Sequence, residues 1–170
     1  MTLTEKFRGK KIRWTKEKFF SREYKLYSDN EKVGELCFPK FFNTSADIKL
    51  LDHELEAFSP SMFKSRMELK DKKSGVILAA FLREKFLKPS EILVGEQKFT
   101  LSTTFFNRRY FIKNDSGAQV LEFEMKGWFN SEAEVKVEPV FIQKDEFPVL
   151  LVFAWYIIIR LNERHAAAAA

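Results

Sequence analysis

The 170-residue chain has one cysteine, two histidines and only six glycines, and each shortage excludes a class of chemistry. One cysteine cannot staple a small scaffold by disulfides. Two histidines 112 positions apart, His53 and His165, give no zinc-ligand spacing, and the scattered glycines form no phosphate-cradling loop. No metal, cofactor or catalytic activity is therefore expected. Cys37, within the alternating stretch Glu35-Leu-Cys-Phe38, reads as a reduced, buried small hydrophobe. Asp52-His53-Glu54 and the Glu122/Glu124 pair come nearest to acid–base machinery. Neither has a nucleophile or metal partner at a workable spacing, and the pair reads as a solvated strand face. Residues 1–25 contain no apolar run of seven or more, so no secretory leader is expected and the chain reads as cytoplasmic.

What is present is ample material for one core: 45% hydrophobic residues, 31% charged, and nineteen phenylalanines. The formal charge of +5 is unevenly placed. Residues 1–25 hold nine Lys or Arg against three acids, a net +6, while the remainder holds 20 against 21. In that segment Lys10, Lys11, Arg13, Lys16 and Lys18 are interleaved with Trp14, Phe19 and Phe20. Basic groups that hold phosphates, beside aromatics that settle at an interface, suit an anionic lipid surface. The same residues also fit an N-terminal strand pair, with Trp14 and the Phe rings in the core and the lysines in water. Basic residues confined to one edge, rather than spread over a groove-facing element, argue against nucleic acid. Arg108 and Arg109 add to the anion-binding candidates; they, with Lys70, Lys72 and Lys73, lie near turns, where exposed basic residues usually serve solubility.

The dominant hydrophobic period is two, interrupted by polar turns. Arg22–Tyr27 alternates, Ser28–Lys32 turns and Val33–Phe38 returns; Met67–Lys70 with Val76–Leu82, and Arg109–Lys113 with Gln119–Met125, repeat the device. Each is a hairpin with Asn, Asp or Ser entering the turn and a glycine offered for positive φ. Those glycines, Gly34, Gly75 and Gly117, are 41 and 42 residues apart, which marks an internal repeat. Phe42–Leu50 parallels Phe129–Val137, with Ser90–Val94 in the equivalent place, and a further short strand is predicted after each at Leu55–Phe58, Lys98–Ser102 and Pro139–Gln143. Three four-strand units make about twelve strands. A mainly β fold closed into an antiparallel barrel is the natural outcome, because closure removes exposed edges.

Phe147–Ile159 breaks the pattern, being apolar on every side. Asp145 and Glu146 suit a helix N-terminus, Pro148 its first turn, and Arg160, Arg164 and His165 its end. Thirteen residues rise about 20 Å, short of the roughly 30 Å of a bilayer core. A hydrophobic helix over about 147–161, running through the barrel centre, accounts for the missing polar face. One domain spanning 1–165 is expected, and the alanines at 166–170 are set aside.

The hairpin Tyr110–Val120, the helix Phe147–Ile159 and the three-unit plan together resemble the tubby C-terminal-like group, which includes the plant LURP-one-related proteins and the phospholipid scramblases. The resemblance covers about residues 10–165. It implies a twelve-stranded barrel around a central hydrophobic helix. Tubby proteins bind phosphoinositide head groups through basic surface residues, whereas scramblases are associated with calcium and lipid movement. No acidic calcium loop, cysteine-rich palmitoylation stretch or proline-rich N-terminal tail of the scramblase kind occurs here, and no specific phosphoinositide-contacting set aligns. The expectation is a non-enzymatic barrel that binds an anionic phospholipid or related ligand at the inner membrane face. The alternatives are a scaffold that binds a protein partner, and a membrane-anchored scramblase-like protein.

Overall fold

A computed structural model describes residues 2–39, 44–60, 66–83, 89–104, 106, 108–127 and 131–169. After a short helix α1 (Leu3–Phe7), twelve strands follow: β1 (Ile12–Lys16), β2 (Glu23–Ser28), β3 (Glu31–Cys37), β4 (Ala46–Leu50), β5 (His53–Phe58), β6 (Arg66–Asp71), β7 (Ile77–Leu82), β8 (Ser90–Val94), β9 (Gln97–Thr103), β10 (Arg109–Lys113), β11 (Gln119–Lys126) and β12 (Glu132–Val137). Each pairs antiparallel with the next, and β1 pairs with β12 to close the barrel. The alternation of the sequence becomes alternation in burial. Tyr24, Leu26 and Ser28 of β2 point inward while Lys25 and Tyr27 are half-exposed, as the two-residue period of a strand requires.

The repeat survives with one correction. Pro139–Gln143 is no strand: it turns and forms a single 3-10 turn at Phe141–Gln143, whose Phe141 and Ile142 are buried. Pro139 has no N–H for a ladder, and the chain must leave the sheet here to reach the barrel interior. The vacant fourth place of the third unit is taken by β1 from the other end of the sequence. Ile12 faces Val135 of β12 and Ser28 of β2. The N-terminal segment is thus the closing stave.

A second correction concerns Gly34. Gly75 and Gly117 adopt φ of +73° and +84° in their turns, but the left-handed residue of the first turn is Asp29, at +53°. Gly34 lies within β3, where an added Cβ would sit 2.8 Å from the Lys49 carbonyl oxygen of β4. Its periodic recurrence therefore serves close strand approach in one unit and turn geometry in the other two. Cys37 is also corrected: it is half-buried on the outward side of β3, with Sγ 3.9 Å from Glu23 Oε1, and burial pushes its thiol pKa up.

α2 (Glu146–Ala169) runs inside the barrel and continues beyond the residue 161 expected for its end, taking in Ala166 and Ala167. Leu150 to Ile158 have no exposed surface. Trp155 stacks between Trp14 of β1 (ring centroids 5.8 Å, 12° between planes) and Phe123 of β11 (6.2 Å, 11°), with Tyr24 of β2 edge-on at 5.7 Å. Tyr156 stacks on Phe38 and donates to the Thr44 carbonyl at 2.7 Å. At the helix start Phe147 meets Phe7 of α1 and Phe141 edge-on. Strands on every side thus give the helix the apolar surroundings that its composition demands. Phe42, Asn43, Phe129 and Asn130 of the repeat lie outside the described residues, as does the His165 side chain.

Tyr24, Tyr110 and Tyr156 line this core, and burial pushes each phenol from the ordinary 10 up to about 12. Below pH 10 the phenols are neutral in both the folded and the unfolded chain. Above it the unfolded chain ionises first, so their stabilisation declines through pH 12. The denaturation midpoint is expected to fall steeply across pH 10–12, with the absorbance of these three phenolates appearing together with unfolding. Absorbance of more than one phenolate at pH 10–11 in a still-folded chain would contradict this, the fourth tyrosine, Tyr27, being half-exposed.

Candidate functional site

The barrel has two unlike ends. Short hairpin turns join β2–β3, β4–β5, β6–β7, β8–β9 and β10–β11 where α2 begins; this is the turn rim. The longer connections lie at the other end, the loop rim, where α2 leaves. Two hydrogen bonds fix the second assignment: Tyr110 at the start of β10 donates to Asn162 Oδ1 at 2.6 Å, and Arg22 before β2 donates to Glu163 Oε1 at 2.8 Å.

This geometry divides the N-terminal basic run. Lys10 and Lys11 precede β1 at the turn rim, where the Lys11 backbone N–H donates to Asp29 at 2.9 Å and its ammonium lies 3.5 Å from Glu134. Arg13 lies midway on the outer wall, its guanidinium 5.2 Å over the Tyr27 ring. Lys16 and Lys18 are at the loop rim, a strand length of about 17 Å away. The five residues are therefore not one patch. The two readings of their aromatic neighbours also split: Trp14 is fully buried in the core, whereas Phe19 and Phe20 are 59% and 89% exposed. Arg108 is exposed beside the loop rim. Arg109 is committed elsewhere, since its Nε donates to Glu122 Oε1 of β11 at 2.7 Å. Glu122 is accordingly a buried ion-pair partner and not the solvated acid that its spacing from Glu124 suggests.

The loop rim gathers further cations. Arg22 and Arg160 both bind Glu163, Arg160 through Nη1 at 2.5 Å. Arg160 is only 8% exposed, and among the described residues its Nε has no hydrogen-bond partner. Burial disfavours the charged form of Arg164, and the fields of Arg160 and Arg83 add to this. Lys16 lies 5.6 Å over the Tyr24 ring; burial lowers its pKa, Glu163 raises it and Arg22 lowers it further. A cavity of about 350 Å³ opens here, lined by Lys16, Arg22, Tyr24, Trp155, Asn162 and Glu163 among others. Among the described residues lining this cavity Glu163 is the one carboxylate, set against Lys16 and Arg22 of the lining and Arg160 beside it, which leaves a positive field over an aromatic wall and suits an anionic group carried on an apolar body.

Sequence reading assigned Arg160 and Arg164 to the helix end, and counted Arg22 in the N-terminal charge excess and at the start of the alternating stretch Arg22–Tyr27. The spacing of four between Arg160 and Arg164 places them on one helix face and was the available signal; Arg83 carried none. A larger cavity of about 470 Å³ at the turn rim is lined mainly by aliphatic groups, including Leu3, Leu50, Leu55, Leu78 and Val149. Among the described residues no cluster of His, Cys, Asp or Glu is placed to hold a metal ion, and no helix is long and apolar enough to cross a membrane.

A crystal structure of a protein from Arabidopsis thaliana is similar to this chain, with a TM-score of 0.63 over 94% of this chain and 96% of that one, at 15% sequence identity. The likeness is one of fold. No protein-family profile and no curated protein sequence matches the chain.

Proposed function

We propose that this protein is a non-enzymatic barrel of the tubby-like kind that recognises an anionic phospholipid surface at the inner face of a membrane, through its loop rim. The observation that carries the reading is the convergence of Lys16, Arg22, Arg160 and Arg164 at the α2 exit, where Glu163 pairs with Arg22 and Arg160 and its field reaches Lys16. Exposed Lys18 and Arg108 extend the positive field outward. Each basic residue near an anionic bilayer contributes about 1 kcal/mol at physiological salt. Changing Lys16, Lys18 and Arg108 together to Ala is therefore expected to lower binding to phosphatidylserine-containing vesicles about 100-fold in co-sedimentation. The Lys10→Ala/Lys11→Ala pair, at the opposite rim, should bind as the unaltered chain does. Equal loss in both variants, or no binding of the unaltered chain, overturns the reading.

The protein-interaction alternative draws on a different feature, the aliphatic cavity at the turn rim with Val76 and Ile77 exposed beside it. A partner captured there would be lost on changing Val76 and Ile77 to Ser and would be indifferent to lipid.

A further inference from the structure

The two rims differ in aromatic content as well as in charge. By sequence, the six segments joining strand ends at the loop rim (17–22, 38–45, 59–65, 83–89, 104–108 and 127–131) carry eleven aromatic residues, at least one in every segment, with eight Lys or Arg against two acids. The five hairpin turns at the opposite rim (29–30, 51–52, 72–76, 95–96 and 114–118) carry no aromatic residue, and two Lys against four acids. Of the eleven, Phe19, Phe20, Phe38 and Phe106 are among the described residues, and packing in the core accounts for one of these four. Of the aromatics described in these segments Phe38 does turn inward. Phe20 and Phe106, at 89% and 79% exposure, do not, and Phe19 packs edge-on against Phe20 at 4.9 Å while remaining 59% exposed. The large exposed hydrophobics of the turn rim among the described residues, Val76, Ile77 and Val140, are aliphatic.

Large rings held in water beside exposed cations are costly to a free surface and favourable at a bilayer interface, where the ring enters the acyl boundary and the cation meets the phosphates. The β1–β2 and β9–β10 segments flank the α2 exit, since Glu163 holds Arg22 and Asn162 accepts from Tyr110. The exposed rings are thus carried on two separate segments that both adjoin one basic centre. We infer that the loop rim is a membrane-inserting face: Phe19, Phe20 and Phe106 enter the interfacial layer, Lys18, Arg22 and Arg108 lie at phosphate level, and the barrel stands on the bilayer with its turn rim outward. The inference rests on the anionic-surface reading above and adds to it an orientation and an apolar component that salt does not screen.

The test uses the full chain with vesicles of phosphatidylcholine containing phosphatidylserine. Phe20→Ser and Phe106→Ser are each expected to weaken binding about tenfold, with the loss persisting at high salt. Both sites are surface positions, and unchanged urea midpoints would show that the fold is intact. In a second measurement, Phe20→Trp and Phe106→Trp should gain fluorescence quenching by brominated lipid over the unaltered chain, whereas Val140→Trp at the opposite rim should gain none. If the Lys16/Lys18/Arg108 variant loses binding while both Phe→Ser variants bind normally and the added tryptophans stay unquenched, insertion is overturned and the electrostatic reading stands. If quenching appears at Val140→Trp instead, the orientation is wrong. Absence of any vesicle binding overturns both and leaves the rim to a protein partner.

Discussion

Removing residues 1–16 is expected to abolish cooperative folding. The segment looks like a dispensable basic arm by composition, yet it supplies β1, which pairs with β12 on one side and β2 on the other. Its loss would expose two sheet edges and open the barrel beside α2, leaving apolar helix surface against water. It would also remove Phe7, Ile12 and Trp14, each at 2% exposure or less. At about 1.5–3 kcal/mol for each buried side chain, the three account for about 5–9 kcal/mol, against a total stability of about 5–15 kcal/mol for a domain. A chain beginning at Glu17 should show no sigmoidal urea transition and should associate through its open edges in gel filtration. A monomeric chain with an unchanged midpoint would mean that β1 is not a structural stave.

The second large effect is expected from Trp155→Ala. Trp155 joins the helix to three strands at once, through Trp14, Tyr24 and Phe123. Its truncation leaves a cavity bounded by rings that cannot close over it without moving whole strands. Large aromatic-to-alanine changes of this kind cost about 3–5 kcal/mol, which for a chain of this size lowers Tm by about 6–20 °C. Trp155→Phe should cost much less. The indole Nε1 is buried without a hydrogen-bond partner among the described residues, so removing it restores part of what the lost ring area costs. A Trp155→Ala protein that melts like the unaltered chain would indicate that the stack is incidental.

Much of the architecture was legible because it is written in short-range patterns. Two-residue alternation followed by polar turns gives strands and hairpins, and the recurrence of those hairpins at 41 and 42 residues gives the three-unit plan. The helix was legible from the opposite signal: thirteen residues without a polar face belong inside something. The errors came where local and global demands diverge. Pro139–Gln143 has strand-like composition, but the chain must there leave the sheet and turn into the barrel. Gly34 has the spacing of a turn glycine, but serves a close approach to Lys49 of the neighbouring strand. The candidate site was the least legible part. Lys10 to Lys18 are neighbours in sequence and end at opposite rims, because a strand carries its two ends a full barrel height apart.

The shortage of cysteine, histidine and glycine left no catalytic or metal signature to follow, and charge counting could only locate the excess in the first 25 residues. Sequence alone determined the strand periodicity, the repeat and the need for an enclosed helix, since the alternation and the apolar run depend on residues within a few positions of one another and the repeat is a spacing along the chain. Only the tertiary structure decided which strand closes the barrel, which of the basic residues stand together and which Phe rings face outward. Those depend on residues 22 and 163, or 110 and 162, being brought into contact by closure, and closure is a property of all twelve strands together.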